Sequence, residues 1–287
     1  MVDDTEPTPR GAATLAKTMA GDDHTQFDAP FIRSVILVRE RIDKPDAYPF
    51  SIPAVQALDG LALSAVTFFV GENGSGKSTI LEALAVASGF NAEGGTMNFN
   101  FATRRSESPL HRCIRLARGP RRPRTGFFLR AESFFNLATE IERLDAEPSF
   151  DPPLIESYGG RPLHEQSHGE SFIALMKHRF GANGLYLLDE PEAALSPSRQ
   201  LSLLIRIREL LENGSQFVIA THAPIVLAYP GATIYHLDEQ GITSVEYDRT
   251  EHVQLTRDFL SNRGRFLSRL FNDGSHEPPL DAGNPGR

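Results

Sequence analysis

The chain has 287 residues, 40% hydrophobic and 23% charged, an ordinary globular composition with material for one large core or two modest ones. A formal net charge of −8 excludes coating nucleic acid by overall electrostatics and leaves only a local basic patch for such a role. The single cysteine, Cys113, excludes an internal disulfide and fits a reducing compartment such as the cytoplasm.

Residues 1–30 are acidic and interrupted by Pro and Gly, without the apolar run of a secretory signal, and are expected to be a disordered tail. Residues 272–287 repeat that pattern, which leaves one ordered body over 31–271. The most apolar stretch, LALSAVTFFV, has about half the length of a membrane-spanning helix, so this chain is expected not to insert in a membrane.

Ala65–Val70 is an apolar, β-rich run that meets a glycine-rich turn and then a helix-compatible segment from Ser78 to about Ser88. The turn, Gly71, Glu72, Asn73, Gly74, Ser75, Gly76, Lys77, Ser78 and Thr79, matches the GxxxxGK[ST] phosphate loop in its required strand–loop–helix setting. Its glycines let backbone N–H groups face phosphate oxygens, and the helix N-terminus adds its positive dipole end. Lys77 would reach the β- and γ-phosphates, and the Ser78 hydroxyl would take a Mg²⁺ position.

Further along, Arg104–Arg130 holds nine arginines and only Glu107 as an acid, suited to nucleic acid, to an acidic partner, or to ion pairs within the fold. Ser167 and Glu170 read as a capping box opening a helix. Leu185–Leu188 reads as a strand buried on both faces, ending in Asp189 and Glu190. Adjacent carboxylates there are costly without a cation or a reaction to serve. Asp189 would hold Mg²⁺ and Glu190, projecting the opposite way along the strand, would activate the attacking water; Glu192 reads as a surface residue. Ser196, Pro197 and Gly214 bracket a scaffold helix, and His222 follows the next strand. The C-terminal portion reads as two short strands around Glu239–Gly241 and then helix, with no functional role expected.

Two spacings narrow the class. QSHGES, Gln166–Ser171, stands with Ser167 22 residues before Asp189, and THAP places His222 33 residues after it. This order resembles the ABC-type ATPase heads, closest to small bacterial ATPases related to chromosome-maintenance and repair heads; AALSP, Ala193–Pro197, sits where that family has its D-loop. The resemblance implies an α/β P-loop NTPase fold with a mostly parallel sheet, an antiparallel β-subdomain from the N-terminal and Arg-rich segments, and a small helical subdomain over about 132–170. It implies ATP and Mg²⁺ as ligands, Ser167 and Gly169 serving the γ-phosphate of ATP on a second copy, His222 contacting the γ-phosphate, and an ATP-dependent homodimer. His168 replaces the family's first signature glycine, and Glu132 stands where the family has a metal-facing Gln. Phe31, Tyr48 and Phe50 are equal candidates for stacking on adenine. The alternatives are the ATP-binding subunit of an ABC transporter and a DNA-repair or phage-defence module.

Overall fold

The computed structural model describes residues 30–97, 108–130, 134–145, 153–161, 163–165 and 167–271. Residues 1–29 of the expected N-terminal tail, the whole expected C-terminal tail, Arg104, Arg105, Glu132 and Gln166 lie outside the described residues.

A six-stranded sheet forms the centre, in the order β5 (Thr125–Arg130), β6 (Gly184–Asp189), β7 (Gln216–Ala220), β3 (Val66–Val70), β8 (Thr233–Asp238) and β9 (Gly241–Ser244). All neighbours are parallel except β9, which returns antiparallel on β8. Strands β3, β6 and β7 are buried along their whole length, which explains their unbroken apolar sequence: a parallel sheet covered on both faces has no side for water. Alternate residues divide between two cores. Phe68, Phe127, Leu188 and Ile219 face one side, and Phe69, Phe128, Leu187 and Val218 the other.

On the first side pack the helices His168–Arg179 and Pro197–Glu212, through Phe172, Leu175 and Met176 and through Leu203, Ile207 and Leu210. On the second side lies α1 (Lys77–Ser88), the helix that follows the phosphate loop, through Ile80, Leu81 and Leu84. A three-stranded antiparallel sheet covers it: β2 (Asp59–Ala62), β1 (Ile32–Leu37) and β4 (Ile114–Arg118). Since β4 belongs to the Arg-rich span, the second sheet is assembled as expected from the N-terminal and Arg-rich segments.

Two side chains bridge the sheets: Tyr235 of β8, whose hydroxyl donates to the Ala62 carbonyl of β2 at 2.9 Å, and the buried Gln216 of β7. Gln216, 1% exposed, accepts the Ile32 N–H at 2.9 Å and donates to the Ile32 and Ser64 carbonyls at 2.8 and 3.0 Å, behaving like an extra piece of backbone. Helix α2 (Phe134–Asp145) and two 3₁₀ turns, Leu154–Tyr158 and Leu163–Glu165, precede α3 (His168–Arg179). The Asp145 carboxylate ties the first turn back to α2 by accepting the Leu154 and Ile155 N–H groups. After α4 (Pro197–Glu212) and the β8–β9 hairpin, the chain ends in α5 (Glu251–Ser261) and α6 (Arg263–Phe271). The C-terminal ends of β3, β6 and β7 meet on one edge of the sheet, where an open α/β sheet offers its crevice.

Candidate functional site

Gly76 takes a left-handed conformation, φ 101°, immediately before α1, and a Cβ there would lie 2.9 Å from Ile52 Cγ2. The loop therefore curls back so that Lys77, 4% exposed, donates to the Gly71 and Glu72 carbonyls at 2.7 and 2.9 Å. Burial lowers the Lys77 pKa from its ordinary value, against the opposing pull of Glu190, Asp189 and Glu192. A cation thus stands over the loop with three carboxylates around it.

In the first turn of α1, the Ser78 hydroxyl donates to Asp189 Oδ1 at 3.0 Å, joining the loop to the end of β6 across 111 residues. Strand β6 stops at Asp189. Glu190 has φ 49° and ψ 52°, a left-handed conformation that costs a non-glycine residue on the order of 1 kcal/mol, while its N–H remains on the Ala220 carbonyl at 2.9 Å. The separation of the two acids therefore comes from this strained turn and not, as strand alternation suggests, from a continuing strand. Glu190 Oε1 lies 3.4 Å from His222 Nε2.

His222 follows β7, and its backbone N–H donates to Glu192 Oε1 at 2.6 Å. Glu192 is accordingly half-buried rather than a surface residue, and burial raises its carboxyl pKa. The other ring nitrogen, His222 Nδ1, lies 3.0 Å from His252 Nε2 on α5, so the C-terminal portion does reach the site. Burial, followed by Lys77 and His252, lowers the His222 pKa, with Glu190 opposing.

Ser167 and Gly169 form a second group. Ser167 caps α3 with the full reciprocal box: Glu170 N–H to Ser167 Oγ at 3.3 Å and Ser167 N–H to Glu170 Oε2 at 3.0 Å. Gly169 is pressed against the Ala194 carbonyl and the Arg199 guanidinium, so no side chain fits there, and Arg199 Nη1 lies 3.4 Å from Ser167 Oγ. Of the three aromatic candidates, Phe31 and Phe50 belong to the core at 3% and 7% exposure. Tyr48 is 66% exposed, with its hydroxyl 3.1 Å from Thr79 Oγ1 at the end of the phosphate loop.

Several arginines of the basic span have structural partners. Arg130 pairs with Glu82 at 2.9 Å, Arg118 donates to the Ala87 carbonyl, and Arg121 donates to Asn183 and lies over Phe31. Arg115, Arg122 and Arg124 are exposed. Among the described residues no helix is long and apolar enough to cross a membrane.

Two family models match this chain around the site. One, described as "AAA domain, putative AbiEii toxin, Type IV TA system", covers residues 154–228, from the turns before α3 through Asp189 to the region after His222. The other, described as "AAA domain", covers residues 63–112 and contains the phosphate loop. These two partial matches support a P-loop ATPase of ABC/AAA-like type. An "Uncharacterized ABC transporter ATP-binding protein" of Haemophilus influenzae is 31% identical over 81 residues, 28% of this chain. The match spans 31% of that relative's length. Among solved structures, an ATP-binding cassette of an ABC transporter, MJ1267, is 19% identical at a TM-score of 0.38, covering 75% of this chain and 93% of the other. The SMC head domain from Thermotoga maritima is 19% identical at a TM-score of 0.34, covering 65% and 92%.

Proposed function

We propose that this chain binds ATP with Mg²⁺, hydrolyses it, and uses bound ATP to hold two copies head to tail. The observation that carries the reading is the Ser78 Oγ to Asp189 Oδ1 bond of 3.0 Å. It brings two hard oxygen donors together beside the buried Lys77, a donor set that suits Mg²⁺ shared with substrate phosphates. Ser78 and Asp189 would hold the ion, and Glu132 is the candidate for a further polar group facing it. When bound, Mg²⁺ neutralises charge developing on the phosphate.

The chain's own residues then divide the work. Backbone N–H groups of Gly71–Thr79 and the start of α1 bind the phosphates, with Lys77 reaching the β- and γ-positions. Tyr48, exposed beside Thr79, stacks on adenine. Glu190 accepts a proton from the attacking water, and His222, 3.4 Å from it, donates an N–H to the γ-phosphate. Ser167 and the N-terminus of α3 serve the γ-phosphate bound to the second copy, so a single chain is an incomplete site. The reading places the protein in the ATP-containing, reducing cytoplasm.

Glu190→Gln removes the base and spares the nucleotide contacts, and should therefore trap an ATP-bound dimer with hydrolysis reduced at least about 100-fold. Light scattering after size exclusion in ATP·Mg²⁺ tests this. A variant that stays monomeric contradicts the head-to-tail dimer, and one that still hydrolyses ATP contradicts the role of Glu190. The exposed Arg115, Arg122 and Arg124 support a second reading, in which an acidic partner such as DNA engages the ATPase. Stimulation of hydrolysis by duplex DNA, lost when the three are changed to Ala, would favour it; unchanged hydrolysis would remove it.

A further inference from the structure

His222 has a neighbour at each ring nitrogen: Glu190 Oε1 3.4 Å from Nε2 and His252 Nε2 3.0 Å from Nδ1. The two imidazoles meet edge to face, with centroids 4.9 Å apart and planes at 60°. His252 stands in the first turn of α5, outside both segments matched by the family models.

A neutral imidazole carries one N–H and one lone pair. An N–H at Nε2 makes no hydrogen bond among the described residues and lies beside the Glu190 carboxylate at 3.4 Å, a favourable neighbour, whereas a lone pair there would set acceptor against acceptor. With the proton at Nε2, Nδ1 holds the lone pair and requires a donor opposite, which His252 Nε2–H supplies. The backbone keeps the ring in this place, through the His222 N–H on Glu192 Oε1. Both rings remain neutral at neutral pH, because burial is the leading influence on each and lowers both pKa values. Lys77 and His252 reinforce it at His222, against Glu190; Lys77 and His236 reinforce it at His252, against Glu251 and Glu72.

We propose that His252 is a positioning residue: by donating to Nδ1 it fixes His222 as the Nε2–H tautomer and keeps that buried, unbonded N–H available for the γ-phosphate. The consequence for turnover rests on the proposed ATPase reading; the tautomer does not. The same logic governs imidazoles held by a partner on the far nitrogen in other sites.

Nitrogen-15 correlation spectra of the full chain without nucleotide read the tautomer directly. The proposal expects His222 to show a protonated Nε2 and an unprotonated Nδ1, a mixture of tautomers in His252→Ala, and the wild-type pattern in His252→Gln, whose amide can also donate. With ATP·Mg²⁺, His252→Ala should lower kcat about 10-fold at unchanged KM, and His252→Gln should restore most of it. A wild-type His222 protonated at Nδ1, a tautomer indifferent to His252→Ala, or a kcat indifferent to it overturns the proposal. Failure of the wild-type chain to bind ATP contradicts the function proposed above while the spectra still decide the tautomer.

Discussion

Gln216→Leu tests how the two sheets are held together. The substitution keeps the side chain's approximate volume and deletes three hydrogen bonds, two to Ile32 and one to the Ser64 carbonyl. Ile32 is fully buried, so its N–H and carbonyl lose these partners out of reach of water. Each such orphan costs about 1.5 kcal/mol, and the lost bond to the half-buried Ser64 about 1 kcal/mol. The added apolar burial of Leu offsets about 1 kcal/mol, which leaves a net loss of about 3 kcal/mol. In a body of this size that corresponds to a fall in Tm of about 6 to 12 °C. Urea unfolding measures the loss, and hydrogen exchange locates it: amides of β1 should lose protection before those of β6 and β7. A loss under about 1 kcal/mol, or exchange rising evenly over all strands, would refute the claim that this side chain ties the sheets.

Removal of the exposed ring in Tyr48→Ala should weaken ATP binding about 10-fold, the scale of one base stacked on an aromatic, while leaving the melting temperature unchanged; equal affinity in a titration would contradict it. Acidification gives a signed prediction. His222 and His252 are held below the ordinary value of 6.5, so in the window between their lowered values and 6.5 the unfolded chain binds more protons than the folded one. Their contribution is fully present above 6.5 and is lost as pH falls through that window. Glu192, raised by burial from 4.5, works the other way, stabilising the fold as pH falls through its raised value towards 4.5. Urea midpoints should therefore decline between about pH 7.5 and pH 5.5, with a shallower decline in a His222→Gln, His252→Gln double variant; a wild-type midpoint that is flat or rises on acidification contradicts the assignment.

What could be read from the sequence follows from how locally each feature is encoded. The phosphate loop is contiguous and its glycines have backbone reasons to be there, so Gly71–Thr79 is recognisable before any fold is known. The runs Val66–Val70 and Leu185–Leu188 announce a parallel sheet because burial on both faces removes alternation. Glu192 reads as a surface residue because no local pattern marks it for burial, and only the returning His222 backbone half encloses it. His252 carries no spacing signal at all: it stands on an ordinary helix start, and the contact with His222 exists because α5 folds back over the end of β7. Similarly, nothing local separates Tyr48 from Phe31 and Phe50; the core takes two of them and leaves the third beside Thr79.

Calorimetric titration of the full chain with ATP·Mg²⁺ tests the central claim most directly. The account expects saturable heat in the wild type and affinity at least about 10-fold weaker in Lys77→Ala, the scale of losing a charge-assisted hydrogen bond. No heat in the wild type, or the same affinity without the lysine, would contradict it.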